Sequence, residues 1–94
     1  MIEIRKPTEE EKKMAEAWPT WEKEVSEFPW SYAEKETCLI LKGAAEVEGK
    51  NGEKASFRAG DWVVFPQSLE CTWKIKEPIE KKYKFGEYVQ SINI

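Results

Sequence analysis

Histidine is absent from this 94-residue sequence, and its absence excludes several kinds of active site. Histidine is the side chain that changes charge near neutral pH, and it is the commonest metal ligand. A Ser-His-Asp triad, a Cys-His pair and a histidine-based zinc site are therefore all excluded. Any catalysis by this chain would depend on other groups, such as carboxylates and thiols.

Cysteine is also scarce, because only Cys38 and Cys71 are present. We see no secretory signal and no apolar run as long as a membrane span. We therefore expect reduced thiols and a cytoplasmic protein. Lysine and glutamate are interspersed, the net charge is −3, and no basic face stands out. We expect neither nucleic acid nor a membrane as a partner.

Aromatic residues are abundant, since they make up 13% of the chain and include five tryptophans. Together with 40% apolar residues overall, they can fill the core of one small globular domain. We interpret residues 1–94 as that single domain. It comprises a barrel over about 18–85, an N-terminal strand and helix in 1–17, and a tail in 86–94.

The local pattern predicts one short helix followed by strands. Thr8 and Glu11 have the spacing of a helix capping box, which predicts a helix over 9–17. Asn51-Gly52 predicts a hairpin with a type I′ turn, since such a turn needs positive φ at both residues. Turn signals separate many short segments of period two, which is typical of an antiparallel sandwich or barrel. The predicted strands and extended pieces are residues 2–4, 21–28, 30–32, 37–42, 44–48, 55–57, 62–65, 71–76 and 79–85.

The glycine, proline and carboxylate spacings resemble the two motifs of the cupin superfamily. The first motif, G-(X)5-H-X-H-(X)3,4-E-(X)6-G, is matched in part by Glu36 and Gly43. The second, G-(X)5-P-X-G-(X)2-H-(X)3-N, is matched at its opening by Gly60 and Pro66. The segments WPTWEKEVSEFPW, ETCLILKG, AGDWVVFP and ECTWKIKEPIEKKY resemble the small single-domain cupins grouped with the ureidoglycine aminohydrolase cupin domain. The resemblance implies an all-β, antiparallel jelly-roll β-barrel with one short N-terminal helix.

The metal positions of the cupin motifs are largely replaced in this chain. The histidine places fall on Trp30, Tyr32 and Cys71, and Glu36 alone keeps its residue type. An indole is a hydrogen-bond donor only, and a phenol with a pKa of about 10 has to lose its proton to bind a metal well. We therefore expect no tightly bound metal and no cofactor.

Strand alternation predicts which side chains face the barrel interior. In the last two predicted strands, Cys71 and Trp73 share one face, and Tyr83 has the phase opposite to the charged residues beside it. The predicted binding residues are Trp30, Tyr32, Glu36, Cys38, Cys71, Trp73 and Tyr83. The candidate catalytic residues are Glu36, as an anchor or general acid/base, and Cys71, as a nucleophile or a soft metal ligand.

The same residues have plainer interpretations. Glu36 could lie wetted at the barrel rim or hydrogen-bond to Tyr32, and Cys71 could be an inert buried thiol. Trp18, Trp21 and Trp62 are interpreted as packing residues or a dimer face. We predict a homodimer, because the strand over 37–41 is apolar on both faces.

Three functions remain open at this stage. The first is a small cytoplasmic cupin that binds a small polar molecule in an aromatic barrel without a histidine-based metal site. The second is an enzyme similar to ureidoglycine aminohydrolase, which releases ammonia from a ureido substrate. The third is a purely structural barrel that serves dimerisation. Fold alone does not decide among them.

Overall fold

Two long strands organise the sheet in the computed structural model, which describes residues 1–86. The strands β4 (Glu36–Gly49) and β7 (Glu70–Phe85) pair antiparallel from Glu36 opposite Phe85 to Gly49 opposite Cys71. The other elements are β1 (Glu3–Arg5), α1 (Glu9–Ala15), β2 (Thr20–Lys23), β3 (Ser26–Ser31), β5 (Lys54–Arg58) and β6 (Trp62–Phe65). All strand pairs in this part of the chain are antiparallel. The predicted all-β architecture with one short N-terminal helix is confirmed.

The short strands attach to the edges of this central pair. Strands β6 and β5 pair with successive halves of β4, and β3 and β2 pair with successive halves of β7. Strand β1 extends the sheet beyond β6. This arrangement lays β2, β3, β4 and β7 around one interior, where the candidate site lies.

Strand β7 is continuous through the place where we predicted a turn. The sequence Glu77-Pro78 suggested a break between two strands, and this prediction is wrong. The irregularity lies in the pairing of β4 with β7 instead, where the register shifts between Ile40 and Ala45 of β4 and their partners in β7. Gly43 has φ +86° there, and a Cβ at this position would lie 2.1 Å from the Pro78 carbonyl oxygen. Gly43 thus lets β4 pass close to the proline of β7 where the pairing is irregular.

The hairpin between β4 and β5 is confirmed, but its predicted turn type is wrong. Gly52 has φ +93°, whereas Asn51 is not in the positive-φ region that a type I′ turn requires. The Gly52 N–H donates to the Gly49 carbonyl at 2.9 Å, and the Gly49 N–H donates to the Glu53 carbonyl at 2.7 Å. The loop therefore has three residues and ends on a left-handed glycine.

Two apolar clusters lie on opposite faces of β4, which explains why this strand is apolar on both sides. The main cluster fills the barrel and includes Cys38, Ile40 and Trp73. The second lies on the side of α1 and consists of Ala15, Trp18, Leu39 and Trp62. Both apolar faces of this strand are therefore covered within one chain, so they no longer argue for a homodimer. The homodimer stays a prediction.

Helix α1 begins at the predicted capping box. The Thr8 side chain accepts from the Glu11 N–H at 3.1 Å, and the Glu11 carboxylate accepts from the Thr8 N–H at 2.9 Å. No helix among residues 1–86 is long and apolar enough to cross a membrane. The tail predicted over 86–94 falls mostly on 87–94, outside the described residues.

Candidate functional site

A cavity of about 170 Å³ lies between β2, β3, β4 and β7. Its walls are almost entirely aromatic, and the charged residues among residues 1–86 that line it are Glu36 and Lys81. Trp30 and Phe85 are 46% and 40% exposed, so they form the mouth. The lining residues are Trp21, Phe28, Trp30, Tyr32, Glu36, Trp73, Lys81, Tyr83 and Phe85.

Strand register brings these side chains together. Phe28 lies opposite Trp73 in the pair of β3 and β7, and their rings stack with centroids 6.2 Å apart. Glu36 lies opposite Phe85 in the pair of β4 and β7. Because alternate residues of a strand share a face, Lys81 points into the same interior as Phe85.

The charged residues form a buried ion pair. Lys81 Nζ lies 2.8 Å from Glu36 Oε2, and the two side chains are 6% and 3% exposed. A buried carboxylate or ammonium is costly unless it is paired, and each of these groups supplies the partner of the other. The lysine belongs to β7 and the glutamate to β4, so their contact depends on the register of the two long strands.

Aromatic rings surround the ammonium group of this pair. Lys81 Nζ lies 4.7 Å from the ring centroid of Trp73, 4.9 Å from that of Trp21 and 5.9 Å from that of Tyr83. Each distance is within the range of a cation–π contact, which gains strength where water is excluded. The rings and the carboxylate together make a favourable place for a positive charge inside an otherwise apolar cavity.

The surroundings keep Lys81 protonated at neutral pH. Burial alone lowers the pKa of an amine, but the neighbouring Cys38 and Glu36 outweigh this effect and raise the pKa of Lys81 above its usual value. We attribute the net rise to the Glu36 carboxylate, because burial raises the pKa of the Cys38 thiol well above its usual value and keeps the thiol neutral. Lys81 is therefore a poor nucleophile and a stable hydrogen-bond donor.

Tyr32 completes the polar part of the site. Its hydroxyl oxygen accepts a hydrogen bond from Trp73 Nε1 at 3.2 Å. Burial, followed by the negative charge of Glu36, raises the pKa of Tyr32 far above its usual value, so its hydroxyl stays protonated. The neutral hydroxyl thus lies beside the ion pair, within hydrogen-bonding reach of Glu36.

The two cysteines are not among the lining residues, although we predicted both as binding residues. Cys38 is fully buried. The Cys71 thiol donates to the Trp30 carbonyl at 3.6 Å, and burial, followed by the charge of Glu36, raises its pKa to about 11. Neither thiol ionises readily at neutral pH, so the environment of Cys71 does not activate it as the nucleophile we considered.

Five of the predicted binding residues do line the cavity, and four lining residues were missed. The five are Trp30, Tyr32, Glu36, Trp73 and Tyr83, and the four are Trp21, Phe28, Lys81 and Phe85. Lys81 shares the phase of Tyr83, so alternation could have found it. Trp21 and Phe28 would face opposite sides of the one strand predicted over 21–28. The break after β2 lets both point inward.

Similarity to known proteins decides the family. Residues 10–83 match the family model described as the EutQ-like cupin domain. The chain belongs to the EutQ-like cupin family. This membership and the fold of its relatives confirm the predicted cupin jelly-roll architecture. No curated protein matches the chain.

Solved structures of similar proteins agree with this assignment. The chain is 48% identical to a DUF861 family protein from Thermotoga maritima, with a TM-score of 0.87 over 90% of this chain and 99% of that one. It is 21% identical to a putative ethanolamine utilization protein Q from Salmonella typhimurium, with a TM-score of 0.65 over 71% of this chain and 54% of that one. The EutQ protein of Clostridium difficile is 16% identical, with a TM-score of 0.66 over 71% and 52%.

The residues of this EutQ-like cupin do not fit the metal site of a metal-binding cupin. The matching positions hold Trp30, Tyr32, Glu36 and Cys71, and the carboxylate already binds the Lys81 ammonium at 2.8 Å. A metal ion beside Glu36 would meet this fixed positive charge. Among residues 1–86, no three His, Cys, Asp or Glu side chains lie close enough to hold a metal ion.

Proposed function

We propose that this EutQ-like cupin is a small-molecule-binding module whose ligand occupies the aromatic cavity. The observation that carries the proposal is the buried Glu36–Lys81 pair, which lies inside an open cavity instead of a closed core. A pocket with apolar walls and a few convergent polar groups is the usual form of a ligand site. A purely structural barrel would be about as stable with apolar packing at these two positions and would not need the pair.

The volume and the walls limit the size and shape of the ligand. The cavity measures about 170 Å³, and an engineered cavity of about 150 Å³ in another protein holds benzene. A ligand with about six to ten non-hydrogen atoms therefore fits. The rings of Trp21, Phe28 and Trp73 favour a flat apolar body, and the ion pair favours a polar group at one end.

Hydrolysis of a ureido substrate is less well supported. Such a reaction needs an activated water or a nucleophile, and the metal positions do not fit a metal ion. The pKa values of Cys38 and Cys71 are raised, and the ammonium of Lys81 holds its proton. The EutQ relatives share the fold at 21% and 16% identity, so ethanolamine utilization is not carried over to this chain either.

The five tryptophans provide a direct test. Their indole N–H groups give separate signals in a ¹⁵N-edited NMR spectrum. Trp21, Trp30 and Trp73 line the cavity, whereas Trp18 and Trp62 lie in the second cluster, with ring centroids 5.6 Å apart. We expect titration with small aromatic probes, such as toluene or benzamide, to shift the first three signals and leave the other two in place.

Two variants complete this test. Trp30→Ala removes a wall at the mouth and is expected to weaken probe binding. Leu41→Ala also removes an exposed apolar side chain, 38% accessible, but lies outside the cavity lining and serves as the control. If no small probe shifts the cavity signals, or if all five signals shift together, the proposed function is wrong.

A further inference from the structure

The ion pair presents a hydrogen-bond acceptor and a donor side by side. Glu36 and Lys81 both line the cavity, and their charged atoms are 2.8 Å apart. An ammonium has three N–H donors and a carboxylate has about four acceptor positions. Their mutual hydrogen bond uses one of each. Tyr32 beside Glu36, and Cys38 beside both groups, use at most two more acceptor positions and one more donor. Both groups therefore keep capacity for a ligand.

The charge of the pocket favours a neutral ligand. Among the described lining residues, Glu36 and Lys81 are the charged ones, and their charges cancel. A ligand that carries a net charge would lose its hydration without finding an uncompensated counter-charge. A ligand carboxylate would face Glu36, and a ligand ammonium would face Lys81, so each would gain one attraction and one repulsion.

A primary carboxamide matches this arrangement. Its NH₂ group donates and its carbonyl accepts, and both project from one carbon atom. Hydrogen bonds to charged partners are about twice as strong as those between neutral groups. The flat amide also continues the plane of an aromatic body, which suits the walls formed by Trp21, Phe28 and Trp73.

We infer that the pocket selects a small neutral ligand with a primary carboxamide group. The amide NH₂ donates to the Glu36 carboxylate, and the amide carbonyl accepts from the Lys81 ammonium. The apolar remainder lies among the aromatic walls, towards the mouth formed by Trp30 and Phe85. This inference rests on the proposed function, because it names the ligand class of the same cavity.

Four probes of similar size test the inference on the wild-type protein. They are benzamide, toluene, benzoate and benzylammonium, titrated by NMR against the indole signals of Trp21 and Trp73. We expect benzamide to bind at least about tenfold more tightly than each of the others. Equal binding of benzamide and toluene would overturn the carboxamide class but leave the proposed function standing. Tighter binding of benzoate or benzylammonium would do the same.

An apolar double variant provides the second test of the inference. Glu36→Met with Lys81→Met removes both polar partners and leaves no unpaired charge, so folding is expected to persist. Benzamide should lose about tenfold in affinity in this double variant, while toluene binding is kept or improved. Unchanged benzamide affinity would contradict the inference. Absence of any probe binding to the wild type would overturn both the inference and the proposed function.

Discussion

Lys81 carries its charge at a position where burial alone would favour a neutral amine. The side chain is 6% exposed, and complete burial can lower the pKa of a lysine by several units. The Glu36 carboxylate at 2.8 Å and the rings of Trp21 and Trp73 offset this penalty. A buried pair of this kind adds little to stability, which is one reason why we propose a role in recognition for it.

A double-mutant cycle measures how strongly the pair is coupled. Lys81→Met leaves the carboxylate of Glu36 buried without its partner, and we expect a loss of about 3 kcal/mol in unfolding free energy. Glu36→Met should cost a similar amount. The double variant should lie within about 1 kcal/mol of the wild type. Urea denaturation gives all four values.

Lys84→Met is the matched control, because Lys84 is an exposed lysine of the same strand. It should change stability by less than about 0.5 kcal/mol. If the costs of the two single variants simply add in the double variant, the side chains are not coupled and the buried pair does not exist in solution.

Cys71 should react slowly with thiol reagents. Its pKa is raised from 9.0 to about 11, so its thiolate fraction at neutral pH falls roughly hundredfold, and the residue is 5% exposed. We expect iodoacetamide at pH 7.5 to alkylate Cys71 at least about tenfold more slowly than a free cysteine. Rapid alkylation would restore Cys71 as a candidate nucleophile.

The irregular pairing of β4 with β7 depends on one glycine. In Gly43→Ala the new Cβ would meet the Pro78 carbonyl oxygen at 2.1 Å, in addition to the cost of φ +86°. We expect Gly43→Ala to lose about 3 kcal/mol or more in thermal or urea unfolding. Gly52→Ala is the control, because Gly52 has φ +93° but a Cβ added there would meet no atom within 4 Å. It should cost about 1 kcal/mol. Equal losses would mean that the close approach of β4 and β7 is absent.

Helix α1 is attached to β1 through Arg5 and Glu11. The guanidinium donates to both carboxylate oxygens, at 2.8 Å and 2.6 Å. The hydrogen bond from Arg5 is the main reason why the pKa of Glu11 falls from 4.5 to about 2, despite burial. Because the pKa of Glu11 is lower in the folded protein than in the unfolded chain, its ionised carboxylate stabilises the fold at pH values above about 4.5. This contribution disappears as the pH falls from about 4.5 to about 2.

Glu11→Gln isolates this contribution, because glutamine can still fill the capping box with Thr8. We expect a loss of about 1–2 kcal/mol at pH 7, reduced by the partial exposure of Arg5. The difference from the wild type should vanish near pH 2. Glu10→Gln, an exposed change on the same helix, should have little effect. A constant difference across this pH range would contradict the ion pair.

At the scale of single elements, the local sequence pattern predicted the features that depend only on residues adjacent in sequence. The capping box at Thr8 and the hairpin at Gly52 are set by a few adjacent residues, so both were found. The continuity of β7 through Pro78 was missed because it depends on Gly43, which lies on another strand. Lys81 was missed as a site residue because a lysine is usually exposed. Its partner Glu36 is 45 positions away.

For the whole molecule, the sequence predicted the barrel better than the site inside it. The spacing of Glu36 and Gly43 identified the cupin fold, which depends on glycines, turns and strand period. The cavity depends on which side chains meet across four strands, and the break between β2 and β3 changes that set. Membership of the EutQ-like cupin family therefore fixes the scaffold, while the ligand has to be argued from the residues in the cavity.

The protonation of Lys81 tests the central claim most directly, because that claim requires a charged pair inside an open aromatic cavity. The measurement is a pH titration of the lysine ammonium signals by ¹⁵N NMR, assigned with Lys81→Met. We predict that Lys81 gives a slowly exchanging signal, shifted by the rings of Trp21 and Trp73, that titrates above the exposed lysines and responds to benzamide. A Lys81 signal that titrates with or below the exposed lysines, and ignores benzamide, would contradict the account.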